Sequence, residues 1–129
     1  MKRILFMLAV HAAVPAHADQ DARLLDAIAQ VENHRWSDPG GRYALSYSAW
    51  RDLPGLLPYD CARNPAIGTA KAYEHLARLR KGLKSHGMAA TPYALALCWR
   101  GGLARFVKGQ SPEAHKDYAR RVVNLYHAD

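Results

Sequence analysis

Arg23-Leu24-Leu25-Asp26-Ala27-Ile28-Ala29-Gln30-Val31-Glu32-Asn33 repeats its apolar residues at helical spacing and carries one carboxylate onto the apolar side. At about 100° per residue, Leu24, Leu25, Ile28 and Val31 form one stripe, and Glu32 projects inside it beside Leu25 and Ile28. Asp26 and Gln30 fall on the opposite face, toward water. A carboxyl group at the rim of an apolar face is partly desolvated, which favours its protonated form, the form a general acid needs. The plainer alternative is a glutamate at a fraying helix end that reaches solvent.

Outward from this helix the chain contains no repeats and no low-complexity segment. Asp38-Pro39-Gly40-Gly41 reads as a turn. A short helical piece is expected near residues 46–52, then an irregular connection through Pro54-Gly55-Leu56-Leu57-Pro58. The spacing of Ala72, Leu76, Leu79 and Leu83 predicts a long helix over 65–83, with Lys71, Glu74, Arg78 and Lys81 outward. Gly82 and Gly87 punctuate its end. Thr91-Pro92 reads as an N-cap followed by proline at the first helical position. Residues 93–99 are so apolar that they should form the buried central helix, closed by Gly101-Gly102. Ser111-Pro112-Glu113 reads as another capped start, opening a last helix to about residue 126, with Tyr118, Val122 and either Leu125 or Tyr126 inward. Only residues 42–45 leave room for a β-hairpin, so the expected fold class is all-α.

Lys2 and Arg3 precede an apolar run from Ile4 to Val14, and Ala16-His17-Ala18 places small residues where a signal peptidase cuts. This reads as a secretory signal over residues 1–18, too short to span a membrane, with a mature domain at 19–129. No later stretch approaches the roughly 20 apolar residues of a membrane helix, so no transmembrane segment is expected. The reading places the protein in the periplasm or outside the cell. Cleavage would remove two of the 18 basic residues from a chain of formal net charge +7, leaving +5. An exported basic domain favours anionic polymers such as cell-wall glycan, teichoic acid or lipid head groups, or has an ordinary basic surface. Nucleic acid is not an expected partner, and a monomer is the expected state. Cys61 and Cys98 are the only cysteines, and an oxidising compartment makes a disulfide between them the expectation. Closing that loop would stabilise the domain by about 3–4 kcal/mol. The seven histidines are scattered, so neither a metal site nor a cofactor is expected.

Four blocks, in order, resemble the lytic transglycosylase and goose-type lysozyme superfamily. The stretch from Leu24 to Glu32 is similar to its "AI-x-x-VES" helix, which ends in the catalytic glutamate. Gly41-Arg42-Tyr43-Ala44-Leu45-Ser46-Tyr47-Ser48-Ala49-Trp50 resembles the "G-x-x-Q-x-x-x-x-x-W" run that lines the sugar groove. Ala96-Leu97-Cys98-Trp99-Arg100-Gly101-Gly102 resembles "A-x-A-Y-N-A-G", and Lys116-Asp117-Tyr118-Ala119-Arg120-Arg121-Val122 resembles the closing "T-R-x-Y-V-x-x-V" helix. The resemblance spans nearly all of the mature chain and implies a small lysozyme-like domain.

Its implied chemistry is cleavage of the β-1,4 bond between N-acetylmuramic acid and N-acetylglucosamine in peptidoglycan. Glycoside cleavage usually employs two carboxylates. The expected mature chain has three glutamates, and Glu74 and Glu113 read as surface charges. Asp38 reads as a turn residue and Asp52 as a helix end. Glu32 is therefore expected to act alone, first as acid and then as base, with the substrate's own N-acetyl or 6-hydroxyl group replacing the second carboxylate. Tyr43, Tyr47, Trp50 and Trp99 are candidates to stack on sugar faces, with core packing as the alternative. Tyr118 is a candidate partner of Glu32.

Asn33, Ala44, Trp99 and Arg100 depart from the family's Ser or Thr, Gln, Tyr and Asn. Losing the Gln and Asn removes two hydrogen-bonding groups for N-acetyl sugars. Arg100 either caps its helix through the dipole or faces the groove, within reach of Glu32 or of a substrate carboxylate. A non-catalytic lysozyme-like module that binds cell wall or a partner is the main alternative. A small basic antibacterial effector is a third reading. Hydrolysis and transglycosylation are both open at this point.

Overall fold

The structure is a computed structural model that describes residues 17–128. The expected signal peptide lies outside the described residues, except that His17 and Ala18 open the first helix. In chain order the elements are α1 (Ala18–Glu32), α2 (Tyr47–Asp52), the 3-10 helix η1 (Tyr59–Arg63), α3 (Pro65–Ser85), α4 (Pro92–Gly101), α5 (Leu103–Val107) and α6 (Glu113–His127). There is no strand among the described residues, and the fold is all-α. Residues 42–45, where a hairpin had an opening, form tight turns instead. Gly41 N–H donates to Asp38 O (2.8 Å), Ala44 N–H to Gly41 O (3.0 Å) and Leu45 N–H to Gly40 O (3.2 Å).

Side-chain caps set the starts of α2, α3 and α4. Asn64 Oδ1 accepts from Ile67 N (3.0 Å) with Pro65 opening α3, and Thr91 Oγ1 accepts from Ala94 N (3.1 Å) with Pro92 opening α4. Each pairs a side-chain cap with a proline whose missing N–H costs the first turn nothing. The start of α6 differs. Its N-cap is Pro112, with no side-chain cap. Ser111 stands one residue too early to reach the free N–H groups of the first turn.

Apolar periodicity then assembles the core. The α4 residues Ala94, Leu95, Ala96, Leu97 and Cys98 are all buried, and α4 packs on α3, α5 and α6. Leu24, Leu25 and Ile28 of α1, Leu76 and Leu83 of α3, and Val122 of α6 complete the centre. Each fully buried Leu or Ile contributes about 1.5–3 kcal/mol. Tyr126, not Leu125, packs inward. Arg80 of α3 grips Asp21 of α1 through Nε (3.2 Å) and Nη2 (2.6 Å), a pair almost removed from solvent.

A smaller cluster of Leu45, Trp50 and Ala62, joined by Tyr59, Cys61 and Ile67, holds α2 and η1 against α3. It requires close approach of backbones. A side chain at Gly41, whose φ is +71°, would stand 2.1 Å from Ala62 O.

The expected disulfide is not formed: Cys61 and Cys98 are both free. Cys61 rides on η1 in the smaller cluster, whereas Cys98 lies inside the main core. Trp99 packs against both clusters. The two thiols therefore belong to different apolar centres. No helix among the described residues is long and apolar enough to cross a membrane.

Candidate functional site

Glu32 is the last residue of α1, and the helix stops there because Asn33 turns left-handed (φ 55°, ψ 33°) while its N–H still bonds Ala29 O (2.9 Å). Asparagine tolerates that conformation better than most residues. The departure at position 33 is thus a helix stop, and it leaves the Glu32 carboxylate half-buried at the mouth of a groove of about 460 Å³. The groove runs between α2, α3 and α4. Asp52, His75, Trp99 and Arg100 line it with Glu32.

Tyr118 of α6 donates its hydroxyl to Glu32 Oε2 (2.8 Å). Burial, and then the Glu32 charge beside it, raise the Tyr118 pKa above its ordinary value, so its proton stays on the phenol. Oε1 of Glu32 has no hydrogen-bond partner among the described residues. The pairing of Glu32 with Tyr118 is the contact expected from sequence.

Arg100 lies with its guanidinium 5.7 Å from the Tyr118 ring centre, in the range of a cation–π contact. It lines both the Glu32 groove and an adjoining cavity of about 380 Å³ that holds His115, Asp117 and Arg121. Glu32 borders both spaces. Arg100 makes no ion pair with Glu32 and no hydrogen bond to the carbonyls of α4 among the described residues. It faces the site.

Trp99 is held rigidly, because its Nε1–H donates to the carbonyl of Tyr43 (3.0 Å). Its ring borders the groove and meets His75, with centroids 4.9 Å apart and planes tilted by 56°.

Three expected sugar-stacking residues lie elsewhere. Tyr43 is buried in the main core, edge-on to Trp36 (5.7 Å, 87°), and serves the groove only through its carbonyl. Trp50 is buried in the smaller cluster, with Nε1–H on Leu57 O (2.9 Å). Tyr47 is 60% exposed and lines a separate cleft with Trp50 and Tyr59. The cause is the phase of α2. Positions 47, 50 and 51 share one face, while Ser48, Ala49 and Asp52 share the face toward Glu32.

His75 and Asp52 were not expected there as site residues. His75 is 9% exposed, its Nδ1 is shielded from solvent, and that atom has no hydrogen-bond partner. Burial, reinforced by the charge of Arg78, lowers its pKa to about 4. Arg78 donates through Nη1 to the carbonyl of Asp52 across the groove wall. The available signal was spacing, since His75 falls three residues after Ala72 and four before Leu79, inside the apolar stripe. Ala44 also borders the groove in a left-handed conformation (φ 51°) that few non-glycine residues adopt.

Among the described residues, no three His, Cys, Asp or Glu side chains come together as metal ligands. Compared with protein-family models, with curated proteins and with solved structures, the chain shows no match.

Proposed function

We propose that this protein is an exported, lysozyme-like enzyme that cleaves peptidoglycan between N-acetylmuramic acid and N-acetylglucosamine, with Glu32 as general acid and base. The observation that carries the reading is the state of Glu32: one oxygen held by Tyr118, the other without a partner among the described residues, at the edge of a groove of about 460 Å³. A protonated Glu32 gives its proton to the glycosidic oxygen as that bond breaks. The 6-hydroxyl of the muramoyl residue then attacks the anomeric carbon and returns its proton to Glu32, leaving an anhydro sugar. Arg100, beside Glu32 and without an ion pair, suits a substrate carboxylate, because its planar fork can bind both oxygens.

Asp52 on the same groove favours a second reading, in which it serves as the second carboxylate and water is the acceptor. Mass analysis of isolated sacculi after incubation separates the outcomes. Anhydro ends mean transglycosylation, reducing ends mean hydrolysis, and unchanged sacculi mean a binding module without turnover. Glu32→Gln is expected to lower cleavage by at least about 100-fold while the melting temperature barely moves, because the amide keeps the shape and loses the proton. Cleavage near the parent rate in that variant would end the proposal.

A further inference from the structure

We propose that the cavity beside the groove is a carboxylate subsite. Arg100 takes the carboxylate carried on O3 of a muramoyl residue whose glycosidic bond lies at Glu32. This rests on the glycan reading above and adds which strand the groove accepts. Glu32, Arg100, His115, Asp117, Tyr118 and Arg121 line the cavity, whose volume of about 380 Å³ falls in the range of small-ligand pockets. It forms where the end of α4 is pressed onto α6, since a Cβ at Gly101 would stand 2.6 Å from His115 Nδ1. Its charges do not cancel around Arg100. Arg121 Nε already faces Asp117 Oδ2 at 3.5 Å. Burial, then the charges of Arg100 and Arg105, lower the His115 pKa, so that ring is neutral at pH 7. The remaining carboxyl, Glu32, must itself be neutral when it acts as an acid. Arg100 is left exposed, with no ion pair among the described residues.

Position and chemistry narrow the ligand. The Arg100 guanidinium stands 5.7 Å from the Tyr118 ring centre, and Tyr118 is itself bonded to Glu32 at 2.8 Å. Stacking of this kind steadies the planar fork and leaves its N–H edge free for a carboxylate. The same side chain also walls the Glu32 groove. A muramoyl ring cut at C1 carries its lactyl ether on C3 of the same ring, so that arm starts close to the reacting carbon. On a bare strand the arm ends in the lactyl carboxylate. On a strand with stem peptides the lactyl group is an amide, and the carboxylates are those of the peptide. N-acetylglucosamine has only a hydroxyl at O3. The asparagine usual at this position in the superfamily that the chain resembles is uncharged, so the preference expected here is Arg100's own.

Binding is read by calorimetry at pH 7 in Glu32→Gln, so that cleavage does not intrude. Three probes are compared: the tetramer of N-acetylglucosamine, a tetramer alternating N-acetylglucosamine and N-acetylmuramic acid with free lactyl carboxylates, and that second tetramer bearing stem peptides. A carboxylate-bearing tetramer is expected to bind about tenfold more tightly than the first. A gain with the bare tetramer assigns the lactyl carboxylate, and a gain confined to the peptide-bearing one assigns the stem. Adding Arg100→Gln should remove the gain at an unchanged melting temperature. Arg105→Gln, which deletes an equal charge from a side chain outside the cavity, should keep it. Where Arg100→Gln fails to fold, the tetramer with its carboxylates converted to methylamides decides, since it should show no gain. Equal binding of all three probes, or no binding at all, overturns the inference. So does a gain that survives Arg100→Gln or methylamidation, or one lost equally in Arg105→Gln. If sacculi are cut while no gain is found, the inference falls and the enzyme reading stands. If sacculi stay intact while the Arg100-dependent gain appears, the enzyme reading falls and the inference stands.

Discussion

His75 sits as a neutral base inside a helical core, and that makes the fold acid-sensitive. Its pKa is lowered from 6.5 to about 4 by burial and by Arg78, with Asp52 opposing. The unfolded chain therefore takes up a proton before the folded protein does. Stability from this residue is present above about pH 6.5 and is lost as pH falls toward about 4, by roughly 3 kcal/mol at most. His75→Gln should flatten the fall in melting temperature between pH 7 and pH 4.5. An equally steep fall in that variant would place the acid sensitivity elsewhere. At this scale Glu32 was readable, because one carboxylate in an apolar stripe stands out against its neighbours. His75 does not stand out in the sequence, since a single histidine in a leucine stripe looks like ordinary core and only the fold brings Trp99 and the groove beside it.

Helices were legible where their ends carry local chemistry, as at Asn64-Pro65 and Thr91-Pro92. The elements η1 and α5, of five residues each, were not foreseen. One or two turns contain too few residues to show a period, and packing stabilises them instead. Gly68 of α3 marks where that packing is tightest. A Cβ there would stand 2.4 Å from Ala62 O and 2.7 Å from Trp36 Cζ3. In a solvent-exposed helix, Gly→Ala stabilises by about 1 kcal/mol. Here the collision with η1 wins, and Gly68→Ala should destabilise by about 1–3 kcal/mol in urea unfolding. An unchanged or raised midpoint would show that η1 gives way at little cost.

Across the whole molecule, the free cysteines replace the expected staple. Burial pushes the Cys98 thiol up to about 12, so it should resist alkylation at pH 8 until the protein unfolds. Mass measurement after denaturing alkylation should count two modified thiols, and reducing agent should leave the melting temperature unchanged. A purified protein two protons lighter, with both thiols blocked, would contradict this. Helix positions, most caps and the burial of α4 follow from residues close together in the chain. Backbone hydrogen bonds join residues four apart, and apolar periods complete themselves within a few turns. The site obeys a different rule. Tyr118 meets Glu32 across 86 residues of chain, Tyr47 and Trp50 turn away, and the cysteines settle in separate cores. Each of these depends on how helices are rotated and packed against one another, and a one-dimensional pattern does not carry that rotation.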